Sequence, residues 1–65
     1  MTTAQRIAKA RDRLGITDAE IARRVGVPRS TVHGWVHGSH EPTLRSLRSI
    51  AKALGCKAND LMGAA

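Results

Sequence analysis

Glycine interrupts this chain at positions 15, 26, 38 and 55, each time just after a run whose apolar residues recur at helical spacing. A glycine in that position takes the left-handed backbone conformation that ends a helix, so the chain is built to fold as a succession of short helices. In the first run Ile7, Ala10 and Leu14 set the period, and Thr2 with Gln5 forms a capping-box pattern at its start, predicting a helix from about Thr3 to Leu14. Thr17 with Glu20 reads as a second and stronger capping box, leading through Ile21, Ala22 and Val25 and predicting a helix from about Asp18 to Val25. Pro28 then stands where a first-turn proline is tolerated, and Arg29 to His37 reads as a third helix. The segment Gly38-Ser39-His40-Glu41-Pro42 is a loop, and Thr43 is placed to cap a helix from Leu44 to Leu54 whose Leu44, Leu47, Ile50, Ala51 and Leu54 fall on one stripe. A last turn is expected over Ala58 to Met62.

Size narrows the outcome further. A chain of 65 residues buries only roughly 60% of the surface its unfolded form exposes, leaving no room for a deep substrate cavity, a cofactor cradle or a second lobe. With one Trp, no Tyr and no Phe, the core must come from Ile, Leu, Val and Ala. The expectation is a single all-α domain over residues 1–65, compact, with four or five helices, and not an enzyme. A single cysteine closes no intrachain disulfide. No apolar stretch approaches the roughly 18 residues that span a bilayer, and Arg6, Lys9, Arg11, Asp12 and Arg13 occupy the region where a signal peptide would be apolar. These features predict a cytoplasmic protein, and the formal net charge of +6 predicts a polyanionic partner, nucleic acid before a membrane surface or an acidic protein.

Two short helices joined by a tight glycine-containing turn, about residues 18–37, form a helix-turn-helix pattern, whose second helix enters the DNA major groove. On the third predicted helix Thr31, Val32 and Trp35 share one side, while Arg29, Ser30, His33, Gly34 and His37 share the other. The second set has hydrogen-bonding groups and no carboxylate, which suits base edges and phosphates rich in acceptors. The order Ile16-Thr17-x-x-Glu20-Ile21-Ala22-x-x-Val25-Gly26-Val27, then Arg29-Ser30-Thr31-Val32-x-x-Trp35-x-x-Gly38-x-x-x-Pro42-Thr43-Leu44, then Leu47-x-x-Ile50-Ala51-x-Ala53-Leu54-Gly55, resembles the Cro and phage-repressor type of helix-turn-helix domain. The resemblance covers nearly the whole chain.

That resemblance implies a five-helix, lambda-repressor-like domain that binds a palindromic operator as a homodimer and regulates transcription, as a phage-like or bacterial repressor. It places base contacts on Arg29, Ser30, His33 and Gly34, with Arg29 suited to donate bidentately to guanine. Phosphate contacts fall on Arg23, His37, Ser39, His40, Thr43 and Arg45, because the loop after the third helix and the start of the fourth approach the DNA backbone in this family. Three positions depart from the family pattern. Asp18 stands where a phosphate-donating Gln is usual, and Gly34 stands where a long polar reader is usual. Relatives pair an Arg in the apolar arc of the first helix with a Glu near the end of the third; here the pair would be Arg11 and Val36, so Arg11 is expected to turn outward or to find another acceptor, with Glu41 the nearest candidate.

Other residues invite other chemistry. His33, His37 and His40 have metal-ligand spacing, but no fourth ligand lies within reach along the sequence and no Glu sits between the pair, so no metal or other cofactor is expected. Cys56 aligns with an apolar position and reads as an inert buried thiol. Leu44, Leu47, Ala51, Leu54, Ala58 and Leu61 follow heptad spacing, but Gly55 breaks the seam and core packing explains it better. Dimer contacts are expected near Asn59 to Ala65, through Leu61 and Met62, or at an exposed Val36. Neither a small-molecule ligand nor a membrane partner is expected. Two rival readings are an antitoxin-like interaction module with auxiliary DNA binding, and a DNA-binding domain cut from a longer regulator; a membrane-active cationic helix is weaker, because glycine stops separate the basic residues.

Overall fold

Five helices carry the computed structural model, which describes residues 1–63: α1 (Thr3–Leu14), α2 (Asp18–Val25), α3 (Arg29–His37), α4 (Leu44–Leu54) and α5 (Ala58–Met62), with no strand among the described residues. Each begins and ends where the sequence predicts, because the signals at both ends are local. At the start of α1 the Thr2 hydroxyl accepts from the Gln5 backbone N–H at 3.1 Å and the Gln5 side chain accepts from the Thr2 N–H at 2.8 Å, a complete capping box. Thr43 caps α4 in the same sense, its hydroxyl accepting from the Ser46 N–H at 3.1 Å.

The box predicted as the stronger one is only half made. Thr17 accepts from the Glu20 N–H at 3.1 Å, but the Glu20 carboxylate does not return to the Thr17 backbone. It turns instead to Arg23 and Arg24 on the next turn of α2, where two guanidinium groups outcompete one neutral N–H.

The tight connection between α2 and α3 depends on Gly26, whose φ of 85° is left-handed and strained for any residue with a Cβ. Its N–H donates to the Ala22 carbonyl at 2.8 Å and the next N–H, of Val27, donates to the same carbonyl at 3.1 Å, closing the end of α2. The same five-residue reach closes α1 from Ile16 to Arg11, α3 from Ser39 to Gly34 and α4 from Cys56 to Ala51.

One core joins the helices. Ile7, Ile21, Val32, Trp35, Leu47, Ile50, Leu54 and Leu61 are buried at its centre, with Ala10, Ala22 and Ala51 allowing helices to approach closely. Full burial contributes about 1.5 to 3 kcal/mol for each large aliphatic side chain, so this cluster is the main force on the fold. α3 packs against α2 and α1, and α4 packs against α2, α5 and α1, so α3 is held on its inner side only.

Several sequence expectations change in three dimensions. Val36 is buried rather than exposed, and Leu61 belongs to the core of its own chain, so neither offers an adhesive surface. Leu44, counted on the α4 stripe, is 52% exposed because it sits at the edge of that stripe in the first turn. The predicted dimer segment extends to Ala65, and its last two residues lie outside the described residues; within the described part Met62 is exposed.

Candidate nucleic-acid interface

The outer face of α3 follows from which of its residues the core takes. Val32, Trp35 and Val36 are drawn inward, and at 100° per residue this turns Arg29, Ser30, His33 and His37 into one exposed arc. The arc carries a guanidinium, a hydroxyl and two imidazoles, and no carboxylate. His33 and His37 lie one turn apart with ring centroids 4.0 Å from each other and planes inclined by 36°.

Gly34 does not join that arc. It is buried, and the ring of His40 from the following loop lies over it, in the space a Cβ would fill. The Gly34 carbonyl accepts from the Ser39 N–H at 2.9 Å, the hydrogen bond that folds the loop back over the helix. His40, itself exposed, therefore supplies the imidazole surface at the position where Gly34 has no side chain. Sequence spacing gives no sign of this, since it arises from how the loop folds back.

Asp18, which stands where a phosphate-donating Gln is usual, has its charge paired within the fold. Its Oδ1 accepts from Arg11 Nη1 at 2.7 Å, and both side chains are about four-fifths buried, at 22% and 20% exposure. Arg11 Nε also donates to Asp12 at 3.0 Å. Arg11 thus takes Asp18 rather than Glu41, because the short turn after Gly15 brings the last turn of α1 against the first residue of α2. Its hydrogen bonds to Asp18 and then Asp12 raise the guanidinium pKa above its ordinary value.

The other basic residues divide by partner. Arg24 donates to Glu20 at 2.7 Å and to the Ala53 carbonyl at 3.0 Å, pinning α2 to the last turn of α4. Arg23, a predicted phosphate contact, is exposed but also held by Glu20. Hydrogen bonds from these two arginines hold the Glu20 carboxyl down to about 2. Arg29 and Arg45 are exposed and make no ion pair among the described residues, so both charges are free for a partner. Ser39 and Thr43 are exposed at the two ends of the loop, the Thr43 hydroxyl also donating to Ser46 Oγ at 3.1 Å. Cys56 is half-buried away from this face, and burial, then Asp60, pushes its thiol pKa up, which disfavours the nucleophilic thiolate. No helix among the described residues is long and apolar enough to cross a membrane.

Comparison with known proteins gives one consistent result. Residues 7–61 match a helix-turn-helix family. Two curated relatives are uncharacterised HTH-type transcriptional regulators. One, from Methanothermobacter thermautotrophicus, is 43% identical over 49 residues, covering 75% of this chain and 71% of the relative. The other, from Archaeoglobus fulgidus, is 36% identical over 56 residues, covering 86% and 80%. Among solved structures, the P22 c2 repressor in complex with a synthetic operator superimposes with a TM-score of 0.89 at 29% identity, over 95% of this chain and 94% of that one. The restriction-modification controller protein C.AhdI from Aeromonas hydrophila gives 0.88 at 27% identity, over 92% and 91%. With archaeal relatives beside these structures, the likeness does not favour a phage-like or bacterial source over an archaeal one.

Proposed function

The chain belongs to the helix-turn-helix family, and on that premise we propose that it is a sequence-specific double-stranded DNA-binding regulator of transcription, acting as a repressor by occupying its operator. The observation that carries this reading is the exposed arc of α3, cationic and free of carboxylates, on a fold shared with a repressor whose structure holds operator DNA. Arg29, Ser30 and His33 read base edges, whereas Gly34, buried under the ring of His40, makes no base contact of its own. His37, Ser39, His40, Thr43 and Arg45 hold phosphates, and Arg23 does so while shared with Glu20.

Residues 1–65 act as one domain and as a homodimer, which matches a palindromic site with half-sites about one DNA turn, roughly 34 Å, apart. The work is binding rather than catalysis, carried out in the cytoplasm without a small-molecule ligand. The antitoxin-like alternative would draw its support from Asp18 and Gly34, the two departures from the family's DNA-contacting pattern. Asp18 is paired with Arg11 and Gly34 is covered by His40, so neither residue favours it.

Selection of bound sequences from a random duplex library at near-physiological salt tests the proposal. A recovered palindrome is the expected result, with an affinity that falls steeply as salt rises. Recovery of no preferred sequence would refute it.

A further inference from the structure

Asp18, His33 and His37 converge at the seam between α2 and α3, where one carboxylate oxygen and one nitrogen from each imidazole all lie within 4.8 Å of one another. His33 and His37 are separated by one helical turn on the exposed arc, the spacing at which a helix offers two imidazoles to one ion. We propose that these three residues form a site for a divalent transition-metal ion, and that filling it withdraws His33 from the DNA-reading surface. The second half rests on the DNA-binding function proposed above; the site itself does not.

The donor set selects the class of ion. Two imidazoles and one carboxylate suit zinc, nickel or copper, whereas magnesium and calcium need oxygen ligands in larger number. Ligand bonds near 2.0 to 2.1 Å set tetrahedral donors about 3.3 Å apart, so separations of up to 4.8 Å must close by up to about 1.5 Å, which rotation of the two exposed imidazoles supplies. Asp18 is already oriented: Arg11 holds its Oδ1 at 2.7 Å and leaves the second oxygen for the ion. A ligating carboxylate fixed by a hydrogen bond from behind is how metal sites orient their donors. The charge of Arg11 opposes the cation, so the site is weaker than a closed structural zinc centre and suits reversible occupation. Solvent completes the coordination, because both imidazoles face outward.

His40 is not part of this trio, although its sequence spacing from His37 suggested it. The third donor comes from the helix before, across a turn that spacing along the recognition helix does not reveal. Spacing along the chain therefore predicts no metal, and the donor set forms only in the fold.

Titration of the full chain with Co2+, followed by its visible absorption, and with Zn2+, followed by thermal unfolding, tests the assignment. One ion per chain is expected. His33→Gln and His37→Gln should each weaken it by at least about ten-fold, the lower end of what losing even a supporting partner costs, while Cys56→Ser binds as the wild type does. No Co2+ binding by the wild type overturns the proposal, as does binding that is lost in Cys56→Ser or His40→Gln but kept in both other variants. On a selected operator, saturating Zn2+ should lower wild-type affinity and leave that of His37→Gln unaffected by the ion. An operator affinity that Zn2+ does not change refutes the coupling. A protein that binds Co2+ at this site but selects no DNA sequence would refute the DNA-binding function and leave the metal assignment standing.

Discussion

Helices α3 and α4 each bury four residues, yet they do so for different reasons. In α4 the buried set is Leu47, Ile50, Ala51 and Leu54, a single apolar stripe, and Thr43 caps its start. In α3 one of the four is Gly34, which costs about 1 kcal/mol of helix propensity relative to Ala, and the cap position is Pro28 with no side-chain hydrogen bond. The outward residues of α4 beyond its first turn, Arg48, Ser49 and Lys52, are what any solvated helix carries. Those of α3 gather a free arginine, a serine and two adjacent imidazoles on one arc, with a third imidazole folded over the glycine beside it. Core packing accounts for the whole buried stripe of α4. It accounts for only the inner half of α3, and the outer half is what the proposed DNA-binding function accounts for.

On that contrast, a large effect on folding comes from the α4 stripe. Ile50 is fully buried, and Ile50→Ala should cost about 2 to 5 kcal/mol, comparable with the whole stability of a chain this small. Loss of the cooperative thermal transition is the expected reading, and a midpoint close to the wild type would show that α4 is not the anchor. Gly34→Ala in α3 should move stability the other way, by about 0.5 to 1 kcal/mol, because the nearest atoms to the new Cβ all belong to the exposed ring of His40, which swings aside. A destabilised Gly34→Ala protein in urea unfolding would mean that the ring's seat on the glycine contributes more than helix propensity.

The smallest effect belongs to Glu20 on α2. Its carboxyl lies at about 2 in the folded chain against an ordinary 4.5, so its contribution is present above about pH 4.5 and lost as pH falls towards 2. Glu20→Gln should flatten the stability profile in that window and nowhere else. An unchanged slope there would detach Glu20 from the arginine pair.

Helix boundaries were readable because each is written within a few residues: a Thr with its partner three ahead at Thr2 and Thr43, a glycine at the far end. In α3 the period gives Val32 and Trp35 correctly as inward, but Gly34 and Val36 are buried as well and Thr31 is only half-buried. What escaped the sequence depends on meetings across turns. Arg11 finds Asp18 only once α1 and α2 are folded against each other, and Glu20 abandons its capping role because Arg23 and Arg24 compete for it. Val36 was expected at the surface and is covered. His40 over Gly34, and Asp18 beside His33 and His37, join residues whose proximity no helical period encodes.

The claim that the outer arc of α3 reads DNA and does not hold the fold is tested most directly at Arg29, by measuring affinity of the wild type and Arg29→Ala for a selected operator and for random duplex. The variant should unfold within about 0.5 kcal/mol of the wild type, as exposed substitutions do. Its preference for operator over random duplex should shrink by about 1 to 3 kcal/mol, the value of one bidentate base contact, with little change on random duplex. Equal losses on both duplexes, or no loss on either, would contradict the assignment of this face to base reading.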